Sequence, residues 1–334
     1  MTNMTQGPGS MLDRPGDPIA EVIALLRVTH QLSTRLNAGG DWALDFAPEQ
    51  HVKFSCVLSG RAWLEFAGSP AVELHAGDAF LARGGTRARM GSDLALPASP
   101  AGPVFLAARE GDGIARAGSS EETRFQGGHY EFDAASQAWL VDALPGIVVM
   151  RHGASGAAGV VSAAVDLLVA ELASPGLGFT VVADRLAGIL LVQALRVIVA
   201  SGDGEGPAGT GASWLRGLAD PQIGTALRLM HGDVARRWTV AELAGAVALS
   251  RSGFAARFRE LVGLPPLEYL LRWRMLRAAR ALEDDPRRPV SSVSAEWGYT
   301  SDSAFSNAFR RVMGSAPSHF RAGEANAGEG RGVA

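Results

Sequence analysis

Two stretches of the chain repeat one pattern, SRSGFAARFRELVGLPP (residues 250–266) and SDSAFSNAFRRVMGSAP (residues 301–317). They align without a gap at a spacing of 51 residues. The identical pairs are Ser250/Ser301, Ser252/Ser303, Phe254/Phe305, Phe258/Phe309, Arg259/Arg310, Gly263/Gly314 and Pro266/Pro317. A repeat of this kind indicates one supersecondary unit that occurs twice.

Each copy predicts an amphipathic helix. Ser250 and Ser301 occupy the position of an N-cap, and Gly263 and Gly314 stand where a helix needs a C-terminal stop. Apolar residues follow at spacings i, i+4, i+7 and i+8, which puts them on one face. In the two copies they are Phe254, Phe258, Leu261 and Val262, and Phe305, Phe309, Val312 and Met313.

The opposite face of each helix is small, polar and basic, so it can enter a major groove of DNA without steric obstruction. These positions are Ser252, Ala255, Ala256 and Arg259 in the first copy, and Ser303, Ser306, Asn307 and Arg310 in the second. A shorter predicted helix precedes each copy. The first begins with a capping box from Thr239 to Glu242, and the second covers residues 290–297 before Gly298. Helix, short turn and capped helix is the helix-turn-helix pattern.

A long helix is predicted to connect the copies, from Pro265-Pro266 to about Asp284. Its length of about 30 Å is close to the ~34 Å between successive major grooves. The expected buried stripe is Leu267, Leu271, Met275, Ala278 and Leu282, and the expected basic stripe is Arg274, Arg277 and Arg280. We expect Thr239, Arg274 and Arg277 to contact phosphate, and the alternative for each arginine is a solvated helix face.

The charge distribution supports a polyanionic partner for the C-terminal segment. Residues 214–322 contain 16 arginines and 10 acidic residues, whereas the whole chain of 334 residues has a net charge of −3. The length suits about two domains, and a hydrophobic content of 47% can supply real cores. One cysteine, Cys56, cannot form an internal disulfide, and the N-terminus lacks a signal-peptide pattern, so we expect a cytoplasmic protein without a membrane partner.

The N-terminal half predicts closely spaced strands between about residues 41 and 90, typical of a small antiparallel barrel or sandwich. Two of them, 52–58 and 61–66, flank Ser59-Gly60, which predicts a tight hairpin. Two apolar helices are expected at 159–173 and 180–200, the second capped by Thr180. The second is apolar over most of its circumference, so we expect a second subunit to cover part of it in a homodimer.

The expected domain limits follow from these elements. They are a disordered N-terminus (1–18), a sensor and dimerisation domain (19–200), a linker (201–213), a DNA-binding domain (214–322) and a disordered tail (323–334). The predicted fold class is α+β, with an N-terminal antiparallel β-barrel, a helical dimerisation segment and a C-terminal all-α domain.

Residues 214–321 closely resemble the AraC/XylS family of bacterial transcription regulators. The most specific stretches are WTVAELAGAVALSRSGFAARFRELVG, YLLRWRMLRAARAL and SVSAEWGYTSDSAFSNAFRRVMGSAPSHFR. The resemblance implies a seven-helix domain with two helix-turn-helix units that bind adjacent major grooves. It also implies base contact by the eight exposed positions named above.

The N-terminal stretches FSCVLSGRAWLEF, ELHAGDAFLARGGTRA and DRLAGILLVQALR resemble the cupin-type sensor domain of some family members. Such a domain implies small-molecule sensing and dimerisation. Metal-binding cupins present a His-x-His pair, which is not found at Phe54-Ser55-Cys56, so no metal and no other cofactor is expected. His51, His75 and His129 could form a metal triad, but their spacing matches no motif, and surface histidines are the preferred interpretation.

Two further interpretations concern single side chains. Cys56 could sense oxidants, although a lone cysteine in an apolar strand is more often a small core residue. Trp42, Phe54 and Trp63 could line a ligand cavity or simply pack in the core.

The predicted function is sequence-specific binding of double-stranded DNA by a homodimeric transcription regulator under the control of a small-molecule effector. No catalytic constellation is found in the sequence, so we predict that the chain is not an enzyme. The effector-binding residues are unknown. RNA polymerase is a partner if the regulator is an activator. Two alternatives are a cupin-like metal enzyme with a helical appendage and a regulator that acts without a ligand.

Overall fold

A computed structural model describes residues 16–25, 29–32, 35–49, 51–132, 139–153, 157–174, 176–202 and 213–321. These residues form two compact units. The sheet unit lies within Leu26–Arg216, and the helical unit combines residues within Met1–Leu25 and Gly217–Ala334. The division agrees with the expected α+β class of a sheet-rich N-terminal region and an all-helical C-terminal region.

The strands of the sheet unit are short, and one of them alternates strictly between buried and exposed residues. In the strand Arg61–Phe66, Ala62, Leu64 and Phe66 face the core. The described strands are β1 (Thr29–Leu32), β2 (Arg35–Gly39), β3 (Ala43–Phe46), β4 (Val52–Ser59), β5 (Arg61–Phe66), β6 (Val72–His75), β7 (Ala79–Ala82), β8 (Ala88–Gly91), β9 (Ser99–Pro100), β10 (Ile114–Gly118), β11 (Thr123–Glu131) and β12 (Ile147–Met150).

These strands form two sheets that enclose one apolar core. The larger has the order β10-β2-β11-β4-β7-β12, with β1 also paired to β11, and the smaller has the order β6-β5-β8-β3-β9. The pairs β2–β10 and β3–β9 are parallel, and the other pairs are antiparallel. Leu36 and Phe125 from the larger sheet meet Leu44 and Leu64 from the smaller one in this core. The described strands therefore form two facing sheets, which agrees with the expected small barrel or sandwich.

The predicted hairpin at Ser59-Gly60 is wrong. Strand β4 pairs with β7 and β11, whereas β5 pairs with β6 and β8 in the other sheet. The turn is therefore a corner between the sheets. Gly60 has a φ of +76°, and a Cβ atom there would lie 2.7 Å from the Cα of Thr123. Tight turns look alike in sequence whether or not the flanking strands pair, because pairing depends on distant strands.

Helices complete the sheet unit. Helix α2 (Ala101–Glu110) follows β9 and precedes β10. The two predicted apolar helices are confirmed as α3 (Ala157–Ala173) and α4 (Phe179–Ser201). The predicted cap at Thr180 is wrong, because the N-cap of α4 is Gly178 with a φ of +84° and no side-chain hydrogen bond. None of the described helices is both long and apolar enough to cross a membrane.

The helical unit is built around one long helix, α9 (Pro266–Asp284). The other described helices are α1 (Pro18–Leu25), α5 (Trp214–Ala219), which spans the division between the units, α6 (Pro221–Gly232), α7 (Val240–Ala246), α8 (Arg251–Val262), α10 (Val290–Glu296), α11 (Asp302–Met313) and α12 (Pro317–Arg321). Helix α9 packs against α8 on one side and against α10, α11 and α12 on the other. It is therefore the shared core element of both helix-turn-helix units.

The predicted buried stripe of α9 is confirmed at Met275, Ala278 and Leu282, which have no exposed surface, but not at its first residue. Leu267 is 43% exposed, whereas Tyr269, Trp273 and Leu276 are buried. Arg280, predicted on the basic stripe, is only 6% exposed. A single-stripe pattern describes a helix that packs on one side, and α9 is covered on several sides by the helices of both units.

Helix α1 packs with the helical unit, although the predicted limits assign residues 19–25 to the sensor domain. It begins at Pro18, and the Asp17 carboxylate accepts a hydrogen bond of 3.1 Å from the Ala20 amide. Residues 16–18, predicted to belong to the disordered N-terminus (1–18), are therefore part of or next to this helix, and residues 1–15 lie outside the described part of the chain. The expected linker (201–213) and tail (323–334) lie almost entirely outside the described residues.

Candidate DNA interface and effector cavity

Helices α8 and α11 have the predicted boundaries. The Ser250 hydroxyl accepts a hydrogen bond of 3.1 Å from the Gly253 amide, and the Ser301 hydroxyl accepts one of 3.3 Å from the Ala304 amide. Gly263 and Gly314 end the two helices with φ values of +84° and +78°. The N-cap and C-terminal predictions are thus confirmed in both copies.

Paired phenylalanines fix the orientation of each helix. Phe254, Phe258, Phe305 and Phe309 have no exposed surface. Phe258 packs against Tyr269 at a ring distance of 5.8 Å, and Phe309 packs against Phe320 at 5.5 Å. Because these rings are buried on one side of each helix, the opposite side faces outward.

The predicted base-contacting residues lie on those outward sides. Six are exposed, namely Ser252, Ala256, Arg259, Ser303, Asn307 and Arg310, and two are half-buried, namely Ala255 and Ser306. In the second copy, Arg310 donates a hydrogen bond of 3.1 Å to the Asn307 side-chain oxygen. The first copy has Ala256 at the position of Asn307 and so cannot form this bond.

The turns between the paired helices differ in length. Four residues separate α7 from α8, and five separate α10 from α11, so that Thr300 has no counterpart in the first unit. Thr300 accepts a hydrogen bond of 3.1 Å from Arg237. Both turns contain a residue with positive φ, which is Ala248 at 54° in the first and Gly298 at 80° in the second.

Thr239 forms the predicted capping box. Its hydroxyl accepts from the Glu242 amide at 3.1 Å, and the Glu242 carboxylate accepts from the Thr239 amide at 2.7 Å. Thr239 is exposed at the N-terminus of α7, where backbone N–H groups favour anions.

The arginines of the expected basic stripe have partners inside the helical unit. Arg274 is partly buried and donates to the carbonyls of Val234, at 2.5 Å, and Arg236. Burial lowers the pKa of its guanidinium below the usual value. Arg277 lies over the Trp297 ring at 4.9 Å, and Arg280 donates at 3.0 Å to the carbonyl of Leu25. The stripe does not lie on an open face, because the neighbouring helices pack over it.

A buried polar chain joins α1, α6 and α9, and the sequence did not predict it. His231 contacts the Glu21 carboxylate at 3.1 Å through Nδ1 and the Tyr269 hydroxyl at 2.7 Å through Nε2. Burial lowers the pKa of His231, although Glu21 acts in the opposite direction. Arg277 lies 3.4 Å from the same carboxylate. Asp17 before Pro18 is a local sequence signal for the start of α1. No local signal shows that Glu21 of this helix contacts His231.

The sheet unit contains a partly open cavity of about 240 Å³. Of the three aromatic residues considered for cavity lining or core packing, Phe54 is buried and lines the cavity, Trp42 lies in the core and Trp63 is 38% exposed. His51 and His129 meet beside it at a ring distance of 4.9 Å, and His75 instead lies near Glu73 and Asp78. No group of three potential metal-binding side chains occurs among the described residues.

Cys56 is fully buried in β4. Burial raises the pKa of its thiol to about 12. A thiol with so high a pKa is protonated at neutral pH and is a poor nucleophile. This supports a structural role for Cys56 as a small core residue.

Exposed apolar side chains form a stripe along the paired helices α3 and α4, which the exposed Arg185 interrupts between Val181 and Ile189. Val160 and Leu167 of α3 are 45% and 48% exposed, and Val181 and Ile189 of α4 are 60% and 40% exposed. In α3, Ala163 and Ala170 lie on the same side. Another side of α4, which includes Leu186, Leu190 and Leu191, is buried within the sheet unit, whereas Thr180 and Arg196 are also exposed.

The chain matches two described protein families. Residues 17–200 match a family described as Cupin, and residues 243–323 match a helix-turn-helix domain family. The Cupin match begins at residue 17 and so includes α1. The matches agree with a sheet-rich N-terminal domain and a helical C-terminal domain.

Two relatives match nearly the whole chain. An AraC-like transcription regulator of Streptomyces antibioticus is 39% identical over 91% of this chain and 98% of its own length. Another, of Streptomyces lividans, is 40% identical over the same shares. Among solved structures, the DNA-binding domain of AdpA in complex with a target DNA is 33% identical over 34% of this chain and 99% of that domain, with a TM-score of 0.30. The chain belongs to the AraC-like family of DNA-binding transcription regulators and carries a cupin-type N-terminal domain.

Proposed function

We propose that α8 and α11 insert into successive major grooves and contact bases through Ser252, Ala255, Ala256, Arg259, Ser303, Ser306, Asn307 and Arg310. The observation that carries this proposal is the repeated arrangement of a buried phenylalanine pair behind an outward face of small, polar and basic side chains. Helix α9, with 19 residues, is about 28 Å long, which suits two successive grooves.

The two helices contact bases unequally in this proposal. Arg310 is oriented by Asn307, and arginine pairs bidentately with guanine. Asn307 can also pair with adenine. In the first helix, Ala255 and Ala256 offer only apolar contact with a thymine methyl group. Hydrogen bonds from that helix to bases therefore come from Ser252 and Arg259.

Thr239 is exposed, which allows phosphate contact, although its amide and hydroxyl both donate to the Glu242 carboxylate within the capping box. Arg274 and Arg277 were expected to do the same. Their guanidinium groups have partners within the helical unit, so we assign them chiefly to holding the two helix-turn-helix units together.

Binding-site selection tests the base contacts, with the full chain compared with Arg259→Ala and Asn307→Ala. Each substitution should relax preference in a different half of the site and cost about 1–3 kcal/mol of binding free energy. Arg251→Ala is the matched control, because this exposed arginine lies outside the proposed set. An unchanged selected motif for Asn307→Ala would reject base contact by that helix face.

We propose that the cavity of the sheet unit binds the small-molecule effector. Its position between two sheets and its lining of apolar side chains with a few polar groups are typical of ligand sites. The relatives are transcription regulators, which favours a regulator in the cytoplasm over a cupin-like enzyme. A regulator that acts without a ligand is the remaining alternative. That alternative is wrong if a small molecule stabilises the protein and a substitution that fills the cavity removes this stabilisation.

We propose a homodimer through the apolar stripe of α3 and α4, because an exposed stripe of Val160, Leu167, Val181 and Ile189 gains from coverage by a second copy. Light scattering on the full chain and on Leu167→Glu tests this proposal. The variant should be monomeric at concentrations where the parent is a dimer. RNA polymerase is a further partner if the protein acts as an activator.

A further inference from the structure

We infer that the ligand of the cavity is a compact, apolar, mainly aromatic molecule with one carboxylate group. The inference rests on the proposed effector role of this cavity and adds the chemical class of the ligand. It follows from the shape and lining of the cavity and from the charges at its rim.

The interior of the cavity suits a small aromatic body. Six phenylalanines line it, namely Phe46, Phe54, Phe66, Phe80, Phe105 and Phe125. Phe46 and Phe105 are tilted against each other at a ring distance of 6.0 Å. Aromatic rings favour edge-to-face and offset contacts with other rings. The volume of about 240 Å³ is below the ~300–1,000 Å³ of pockets for drug-sized ligands, so the body is small.

The charged side chains that line the same cavity are mostly cationic. They are Lys53, Arg83 and Arg109, against a single carboxylate, Glu49. Lys53 and Glu49 form an ion pair of 2.9 Å and largely neutralise each other. The two arginines therefore dominate the electrostatic character of the rim.

Arg83 and Arg109 differ in how they are held. Arg83 is half-buried, and its Nη1 donates at 3.1 Å to the Leu144 carbonyl, which fixes the guanidinium at the rim. Arg109 lies in the last turn of α2 and is exposed, and within the described part of the chain it forms no ion pair. A planar guanidinium matches a carboxylate bidentately. The imidazoles of His51 and His129 also line the cavity, and Nε2 of His129 lies 3.3 Å from the Glu131 carboxylate. A cationic ligand would instead meet charges of its own sign.

The experiment uses the full chain and matched sets of probes that differ only in the head group. One set is 4-phenylbutanoate, its primary amide and the corresponding amine, and a second set has a linear chain, namely octanoate, octanamide and octylamine. Calorimetry and thermal shift measure binding. The phenyl carboxylate should bind about ten- to a hundred-fold more tightly than its amide, since a hydrogen bond to a charged group stabilises more than a neutral one.

Variants locate the head group. Arg109→Gln and Arg83→Gln should each reduce carboxylate affinity and leave amide affinity unchanged. Arg124→Gln is the matched control, because Arg124 is exposed on β11 and does not line the cavity. Ala82→Leu, which fills the cavity, should abolish binding of every probe. The melting temperature of each ligand-free variant checks that it folds.

The outcomes separate this inference from the effector proposal. Preferential binding of the phenyl carboxylate that depends on Arg109 or Arg83 supports the inference. Equal or tighter binding of the amides or amines overturns it and leaves the effector role intact. If no probe of any charge binds in a manner that Ala82→Leu abolishes, both the inference and the effector role fail.

Discussion

In the first helix-turn-helix unit, Phe254 and Phe258 anchor the outward-facing helix, and in the second unit Phe305 and Phe309 do the same. Serine caps and C-terminal glycines also recur in both units. The outward faces have diverged, since Asn307 replaces the alanine found at position 256. The comparison teaches that packing constrains the interior of a repeated unit, whereas the solvent-facing positions are free to specialise.

The turns of the two units make a second contrast. Both need a residue in the left-handed region, which is Ala248 in one and Gly298 in the other. The surroundings explain the difference. A Cβ atom at Gly298 would lie 2.2 Å from the Ala235 carbonyl oxygen, so only glycine fits there.

The largest expected effect concerns the shared interior. Phe254→Ala and Phe305→Ala should each lower the free energy of unfolding of the helical unit by about 3–5 kcal/mol, because both rings are fully buried. Urea denaturation of the full chain, followed by circular dichroism, measures this. Ser252→Ala, at an exposed position, should change stability by less than ~0.5 kcal/mol. If the free energy of unfolding falls only slightly for one of these two variants, the two units are not energetically equivalent.

The next effect concerns the turn of the second unit. Gly298→Ala should destabilise by about 1–3 kcal/mol from backbone strain alone, and the contact with the Ala235 carbonyl adds to this loss. The same denaturation experiment tests it. Gly245→Ala in α7 is the matched control, since nothing lies near its added methyl group, and alanine favours the helix. A neutral Gly298→Ala would contradict the close approach at this turn.

A third effect should occur in the first unit alone. Asp220 caps α6 and accepts a hydrogen bond of 3.1 Å from Nε of Arg257, whereas the equivalent of Arg257 in the second unit is Ala308. Asp220→Ala should cost about 1–2 kcal/mol, mainly from the lost cap, and Arg257→Ala at most ~1 kcal/mol. If both variants lose the same free energy of unfolding, the ion pair rather than the helix cap accounts for the effect.

The contribution of Asp220 should also depend on pH. Burial opposes its ionisation, but the hydrogen bonds from Arg257 and from the amides of Ile223 and Gln222 prevail and lower its pKa. The stabilisation is therefore present above the unfolded pKa of about 3.9 and is lost as the pH falls through the lower folded value. The stability difference between the parent and Asp220→Ala should shrink below about pH 4. A constant difference down to pH 2 would contradict the lowered pKa.

The smallest effect concerns Ala248. Ala248→Gly should relieve a left-handed conformation that costs roughly 1–2 kcal/mol, but the extra freedom of glycine in the unfolded chain offsets about half of this gain. The expected net stabilisation is below about 1 kcal/mol. A comparison of Ala248→Gly with Gly298→Ala tests whether the two turns differ only in the free space around their left-handed residues. Destabilisation by Ala248→Gly would reject the strain at this turn.

Local patterns predicted the helical unit well. The repeat, the serine caps at 250 and 301, and the glycines at 263 and 314 are all signals within one turn of the element that they define. The predicted stripes of α9 were less accurate, with Leu267 exposed and Arg280 buried. Periodicity identifies an amphipathic helix, but it cannot describe a helix that neighbours cover on several sides.

The sequence by itself determined that this chain has two helix-turn-helix units and which faces of α8 and α11 point outward, because caps and a 3.6-residue period act between residues that are close along the chain. Only the tertiary structure decided that β4 and β5 belong to different sheets, that Glu21 reaches His231, and which side chains surround the cavity. These features join residues that are far apart in the chain. They depend on how whole helices and strands pack together, and no local sequence pattern encodes that packing.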